Sequence, residues 1–214
     1  MSRAFPIPER FGLKVALLDG TTCRLRPFQD IPKEFPPHRP GNCKKAPYWC
    51  LARIVGLFCL ASGAVLDSAL GSLKTSEQAL CATLLKTSWP DWLLVADRNF
   101  GVYSVVCAAR AAQAHVLVRL TKARATKLAR LAGLSLAPGL DALLGWSPSS
   151  HDQCPEDLPR SPLPGRLVAV RLQRPGFRPI TLYLFTTLQD QSQASAQDLA
   201  QLYGERWQVE LCFR

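Results

Sequence analysis

The chain has 214 residues, 48% of them hydrophobic, enough to close one core domain with room for an insertion. Lys and Arg number 26 against 16 Asp and Glu; the net charge of +10 points to an anionic partner, nucleic acid ahead of an acidic membrane surface, although charge alone weighs ordinary solubility equally. The eight cysteines include no Cys-x2-Cys pair, the start MSRAFPIPERF has no apolar segment, and the longest apolar run, 54–66, is too short to span a bilayer. These features argue against a structural zinc site, a signal peptide and a membrane span, and for a reduced cytosolic protein.

Residues 14–19, KVALLD, read as a short buried strand that ends on an aspartate and is followed by GTTC. The stretch 26–47 carries prolines at 27, 32, 36, 37, 40 and 47 and is expected to hold no regular element. Two β-like runs, 51–61 and 64–70, flank Ser62-Gly63 as a hairpin. TSEQALCATLLKT (75–87) is a helix capped by Thr75 or Ser76, with Leu80, Leu84 and Leu85 inward. WLLVA (92–96) is a fully apolar strand that runs into Asp97. Residues 102–113 are helical again, and HVLVRL (115–120) is a strand. An antiparallel meander followed by helix-linked strands predicts an α/β fold, a mixed sheet with helices on both faces.

Residues 120–190 break this rhythm. A basic run, the segment SPSSHDQCPEDLPRSPLPG and two β-like runs, RLVAVRLQ and ITLYLFTTL, read as an insertion carrying a hairpin. SAQDLAQLYGERWQVELCFR then reads as one helix, capped by Ser195, with Leu199, Leu202, Val209 and Phe213 inward. The chain divides into 1–120, the first part of a core; 121–190, the insertion; and 191–214, the final core helix.

Asp19 ends the first strand, Asp97 ends the strand after the first helix, and Glu210 sits on the last helix. Strand ends gather at the carboxyl edge of an open sheet, where sites form. Three carboxylates meeting there repel one another and suit hard cations, Mg²⁺ or Mn²⁺, and two such ions support in-line phosphoryl transfer. Each acid also has a plain alternative: Asp19-Gly20 as a turn, Asp97 as a helix cap, Glu210 as a partner of Arg206 or Arg214.

The surrounding residues carry a resemblance. VADRNFGVY resembles the second-aspartate motif of the insertion-sequence DDE transposases, and ALLDGT resembles the first. LYGERWQVELCFR is very similar to the third, Y-x2-R-x3-E-x6-K, with Tyr203, Arg206 and Glu210 in its named positions. RIVGLFCLASGAVLDSALG resembles the stretch these proteins carry between the aspartates. The chain is thus similar to the insertion sequence four family, with its ribonuclease H-like core, over nearly its whole length and least over 26–47 and 130–165.

That resemblance implies a metal-dependent enzyme of DNA cleavage and strand transfer. Asp19, Asp97 and Glu210 would bind two divalent ions, and Tyr203 and Arg206 would contact phosphate near the transposon end. It also implies a strand-rich insertion that helps hold the cleaved end, a homodimer on paired ends, and a bacterial cytoplasmic, nucleoid-associated setting. Trp146 is a candidate for stacking on a base there, with a place in the core as its alternative. In RLTKARATKLAR, Arg119, Lys122, Arg124, Lys127 and Arg130 are candidate phosphate contacts, with a solvated helix face as the alternative. Arg98 and Lys44-Lys45 are weaker candidates of the same kind.

Two departures stand out. The lysine of the third motif would fall seven residues after Glu210, past Arg214, and only 18 residues precede Asp19, where members of the family carry a DNA-binding region. The expectation is a fragment of a longer reading frame. Two rivals remain: a ribonuclease H-like nuclease, and a non-catalytic DNA-binding remnant.

Overall fold

The computed structural model describes residues 7–37, 48–149, 152, 160–173, 176 and 178–213. A short strand β1 (Glu9–Arg10) reverses at Phe11-Gly12, both at positive φ, into β2 (Leu13–Leu25), the central strand of the fold. β2 pairs antiparallel with β3 (Cys50–Cys59), from Ala16↔Cys59 to Leu25↔Cys50. It therefore runs straight through Asp19-Gly20, so the turn alternative for that pair does not hold. The β-branched Thr21 and Thr22 extend the strand on β3 alone. β3 returns through a turn with Gly63 at φ +69 into β4 (Val65–Ser72), the expected hairpin.

The proline-rich stretch does hold one regular element, contrary to expectation: α1 (Ile31–Glu34). Pro32 sits in its first turn, where the missing N–H would have no helical partner in any case. α2 (Glu77–Leu84) is capped by Ser76, whose hydroxyl accepts the Ala79 N–H at 3.1 Å. β5 (Trp92–Ala96), α3 (Tyr103–Ala111) and β6 (His115–Arg119) follow, with β5 parallel to both β2 and β6. α4 (Lys122–Leu131) takes up most of the basic run.

Three more strands come next: β7 (Asp141–Trp146), which the sequence reading missed, and the hairpin β8 (Leu163–Leu172) and β9 (Ile180–Thr186). β9 pairs antiparallel with β6, so these strands extend the same sheet. The order β4-β3-β2-β5-β6-β9-β8-β7, with β1 on β2, is one nine-stranded sheet.

The last segment is not a single α-helix. α5 (Ala196–Glu205) tightens to a 3₁₀ turn over Arg206–Gln208 and resumes as α6 (Val209–Cys212). A full capping box starts it: Ser195 and Asp198 satisfy each other's backbone N–H.

Strand alternation sorts the core into two layers. Ala16, Leu18, Leu94, Ala96, Val116 and Val118 face α2, α3 and α4. Val15, Leu17, Leu93, Val95 and Leu117 face the final helical segment, where Leu199, Leu202, Tyr203 and Val209 meet them. Phe213 closes that layer edge-to-face on Phe58, with ring centroids 4.9 Å apart. Trp146 lies in the first layer, 4% exposed between Tyr103 and Phe185, so the core alternative holds for it. Cys59, Cys81 and Cys107 are buried, and burial pushes the Cys81 thiol up to about 12, which keeps it protonated.

Candidate catalytic edge

The alternation that points Leu17 and Val95 toward the α5–α6 layer points Asp19 and Asp97 the same way, two residues later. The parallel register ends at Leu18↔Ala96, so one further step sets Asp19 beside Asp97. From β5 to β6 the register ends at Ala96↔Val118, and the next step adds Arg119 to the row. Asp19, Asp97 and Arg119 thus lie side by side at the carboxyl edge, and all three belong to the face covered by the last helical segment. Asp97 does not cap the following helix, whose N-cap is Val102. Its Oδ1 instead accepts the Asn99 N–H at 2.8 Å.

Arg206 reaches this row from above. Its Nη1 donates to Asp19 Oδ2 at 3.2 Å, and its guanidinium lies 5.9 Å from the Tyr203 ring centroid and 5.2 Å from that of Trp207. Arg206 is only 8% exposed, and its Nε is buried without a hydrogen-bond partner among the described residues. Tyr203 is buried as well, at 5%. Asp19 Oδ1 accepts its neighbour's amide, Gly20 N–H, at 2.8 Å.

The Asp19 carboxyl is pushed above the usual range, chiefly by burial; the Gly20 N–H and Arg206 oppose this, while Asp97 and Glu210 add to it. Asp97 and Glu210 are therefore both within electrostatic reach of Asp19. Glu210 itself is exposed, unlike Tyr203 and Arg206. Three residues of 3₁₀ winding, Arg206–Gln208, lie between Tyr203 and Glu210. Among the described residues Glu210 forms no ion pair with Arg206, whose partner is Asp19, and Arg214 lies outside those residues.

Sequence reasoning missed a brace on the other side of the edge. Gly20 faces α2, and a Cβ there would lie 2.8 Å from Glu77 Cδ, so the glutamate side chain leans across that glycine. Glu77 Oε2 accepts Asn99 Nδ2 at 2.5 Å, and Gln78 Nε2 donates to the Asn99 carbonyl at 2.9 Å. The first turn of α2 thereby holds the turn that carries Asp97. Its only signal was the asparagine of DRNF; Glu77 directly after a capping serine reads as an ordinary first-turn acid.

The basic candidates are spread around the molecule. Arg98 is exposed beside Asp97, and Arg119 is half-buried at the end of β6. Lys122, Lys127 and Arg130 are exposed on α4, whereas Arg124 is half-buried and donates to the Gly101 carbonyl at 2.5 Å. Through Ala125, Leu128 and Ala129, α4 packs on the layer opposite Glu210, so only its first turn approaches the acid row. Lys44 and Lys45 lie outside the described residues.

The acids offer only hard oxygen atoms, which is the donor chemistry of Mg²⁺ and Mn²⁺. Their spacing does not match that chemistry: among the described residues no three His, Cys, Asp or Glu side chains are grouped closely enough to hold an ion, and one Asp19 oxygen is engaged by Arg206. Among those residues, no helix is long and apolar enough to cross a membrane. A family model described as a transposase DDE domain matches residues 10–214. No curated protein matches the chain.

Proposed function

The chain belongs to the transposase DDE-domain family, and from that premise we propose that it is the catalytic core of an insertion sequence four transposase, cutting and joining DNA at Asp19, Asp97 and Glu210. The family makes DNA the substrate and normally uses divalent metal ions. The observation that carries the proposal is the β2–β5 register, which sets Asp19 beside Asp97 on the face where the Glu210 segment packs.

In this reading the three carboxylates would hold divalent ions once drawn together, and those ions would supply Lewis acidity and charge neutralisation for phosphoryl transfer. The α2 brace keeps the Asp97 turn in place. Arg119, Arg206 and Tyr203 receive the phosphate backbone near the reacting bond. Arg98 and the exposed cations of α4 hold flanking DNA without reading its sequence. The working form is a homodimer on paired ends in the bacterial cytoplasm.

Calorimetric titration of Mn²⁺ into the purified chain tests this, with Asp19→Asn and Asp97→Asn as controls. Binding that both substitutions abolish, together with Mn²⁺-dependent nicking of DNA, supports it; binding unchanged in both sinks it. Strand joining among the products separates a transposase from a hydrolytic nuclease. The open spacing of the acids favours a second reading, a DNA-binding protein without catalysis. It predicts salt-sensitive binding that is indifferent to Mg²⁺, and nicking lost in Asp97→Asn excludes it.

A further inference from the structure

β2 and β3 do not stop where their parallel neighbour does. β5 ends at Ala96, beside Leu18, whereas β2 and β3 stay paired as far as Leu25↔Cys50. Residues 19–25 of β2 therefore overhang the carboxyl edge, about 20 Å of ribbon at the usual strand rise. Along it exposed and half-buried residues alternate, and the exposed set is Thr22, Arg24, Arg26 and Phe28. One step past the last pair, Arg26 falls beside Trp49. Phe28 is 64% exposed, Tyr48 65% and Trp49 40%, and the Tyr48 and Trp49 rings meet edge-to-face with centroids 5.3 Å apart. Scattered apolar side chains are ordinary on a protein surface, but aromatics gathered at one end of a ribbon mark a contact.

The charge around these rings has one sign. Residues 20–29 and 48–54 include Arg24, Arg26 and Arg53 and no acid. Arg53 is committed to the Thr75 carbonyl, which leaves Arg24 and Arg26 turned to solvent. Asp30, the next acid along the chain, is paired with Lys33 at 2.6 Å. Flat apolar faces set among guanidiniums suit a polymer that alternates flat bases with phosphates. In a duplex the base faces are hidden in the stack; in an unpaired strand they are free to stack on protein rings.

We propose that the overhanging end of the β2–β3 ribbon binds an unpaired DNA strand, with Phe28, Tyr48 and Trp49 stacking on bases and Arg24 and Arg26 holding the phosphates between them. DNA as the partner comes from the family; the acid row and Arg206 play no part in this site, which lies further along β2 than Asp19.

The test is fluorescence anisotropy of a labelled oligothymidylate, with a duplex for comparison, titrated with the full chain in chelator. Wild type binds the single strand more tightly than the duplex. Phe28→Ala and Trp49→Ala each weaken single-strand binding about tenfold and leave duplex binding and Tm near wild type. Their salt slope stays that of wild type, because a stacked base releases no counterion, whereas Arg24→Ala and Arg26→Ala each lower the slope by about 0.7. Leu143→Ala, an exposed apolar change on β7 at the far edge of the sheet, alters none of these. Phe28 lies in a turn outside the strands, so Phe28→Ala keeps the question answerable if Trp49→Ala does not fold.

Single-strand binding unchanged in folded Phe28→Ala and Trp49→Ala overturns the proposal and leaves the reading of the acid row intact. Self-association of wild type that Phe28→Ala abolishes, with its grip on the single strand unchanged, also overturns it and assigns the aromatics to a second copy of the chain. Failure of folded wild type to bind either single strand or duplex overturns this proposal and the DNA reading of the chain together.

Discussion

Arg166 and Asp141 form a two-pronged pair inside the protein: Nε donates to Oδ1 at 2.9 Å and Nη2 to Oδ2 at 2.8 Å. Arg166 has no exposed surface, and its remaining nitrogen reaches the carbonyls of Asp190 at 3.2 Å and Ala194 at 2.9 Å. One side chain from β8 thus ties β7 to the loop that launches α5. Arg166→Ala leaves Asp141 and the carbonyls without their donor and is expected to cost about 3–5 kcal/mol in urea unfolding. Arg166→Lys lacks the fork and recovers only part of that.

The start of α5 is set by Ser195, whose hydroxyl meets Asp198 Oδ2 at 2.6 Å. Ser195→Ala is expected to cost about 1 kcal/mol, a fall in Tm of about 2–4 °C in a chain of this size. The Asp198 carboxyl is held below its ordinary 3.8, first by the Ser195 side chain and then by its N–H. A lowered acid stabilises the fold above its unfolded pKa and loses that contribution as pH falls through the folded one. The Tm gap between wild type and Ser195→Ala therefore narrows below about pH 4.

Asp19 has the opposite sign. Its carboxyl is raised above 3.8, so the folded chain holds the proton more tightly than the unfolded one. The ionised form is a net cost at neutral pH even with Arg206 beside it, and that cost disappears as pH falls through the raised value. Asp19→Asn is expected to melt above wild type at pH 7, with the difference closing in acid. A pH series of melting curves checks this; a Tm at or below wild type at pH 7 contradicts it.

Gly101 closes the DRNFG segment against β6. A Cβ there would fall inside contact distance of the Arg119 carbonyl oxygen, and backbone on both sides gives little room to yield. Gly101→Ala is expected to destabilise by about 1–3 kcal/mol. It also shifts the carbonyl that Arg124 holds. Hydrogen exchange over 97–105 should rise more than over α5.

DNA binding by α4 is measurable through salt. If Lys122, Lys127 and Arg130 meet phosphates, each change to Ala lowers the log–log salt slope of duplex binding by about 0.9, read by fluorescence anisotropy. Arg124→Ala leaves the slope alone, because its guanidinium is committed to Gly101, and lowers stability instead. A slope unchanged in the triple variant assigns these residues to plain solvation.

The sequence made several of these elements legible and hid others, for identifiable reasons. WLLVA and HVLVR are short apolar runs between turn signals, and both are strands. Ser76 and Ser195 announce their helices and cap them. β7 does alternate, with Leu144 and Trp146 buried and Leu143 and Gly145 exposed, but it sits in a proline- and serine-rich context that masks a six-residue strand. The seating of β9 on β6 joins residues far apart in the chain, and spacing within one segment does not encode such a register. The 3₁₀ turn at Arg206–Gln208 has no proline or glycine within it to announce the break in the helix. The electrostatic company of Asp19, the Glu77 brace and the Arg166 tie are likewise matters of tertiary placement.

The pairing of Asp19 with Arg206 bridges 187 positions of chain. In synthesis, β2 and β5 are made early and can align the two aspartates as soon as both exist. The guanidinium and the third acid arrive only after β9 has been made and its partner strands are available to receive it. Assembly of this edge is therefore ordered in time: the repulsion between the aspartates is established first, and its neutralisation is deferred to a late stage of folding, when a loop of 187 positions is drawn shut.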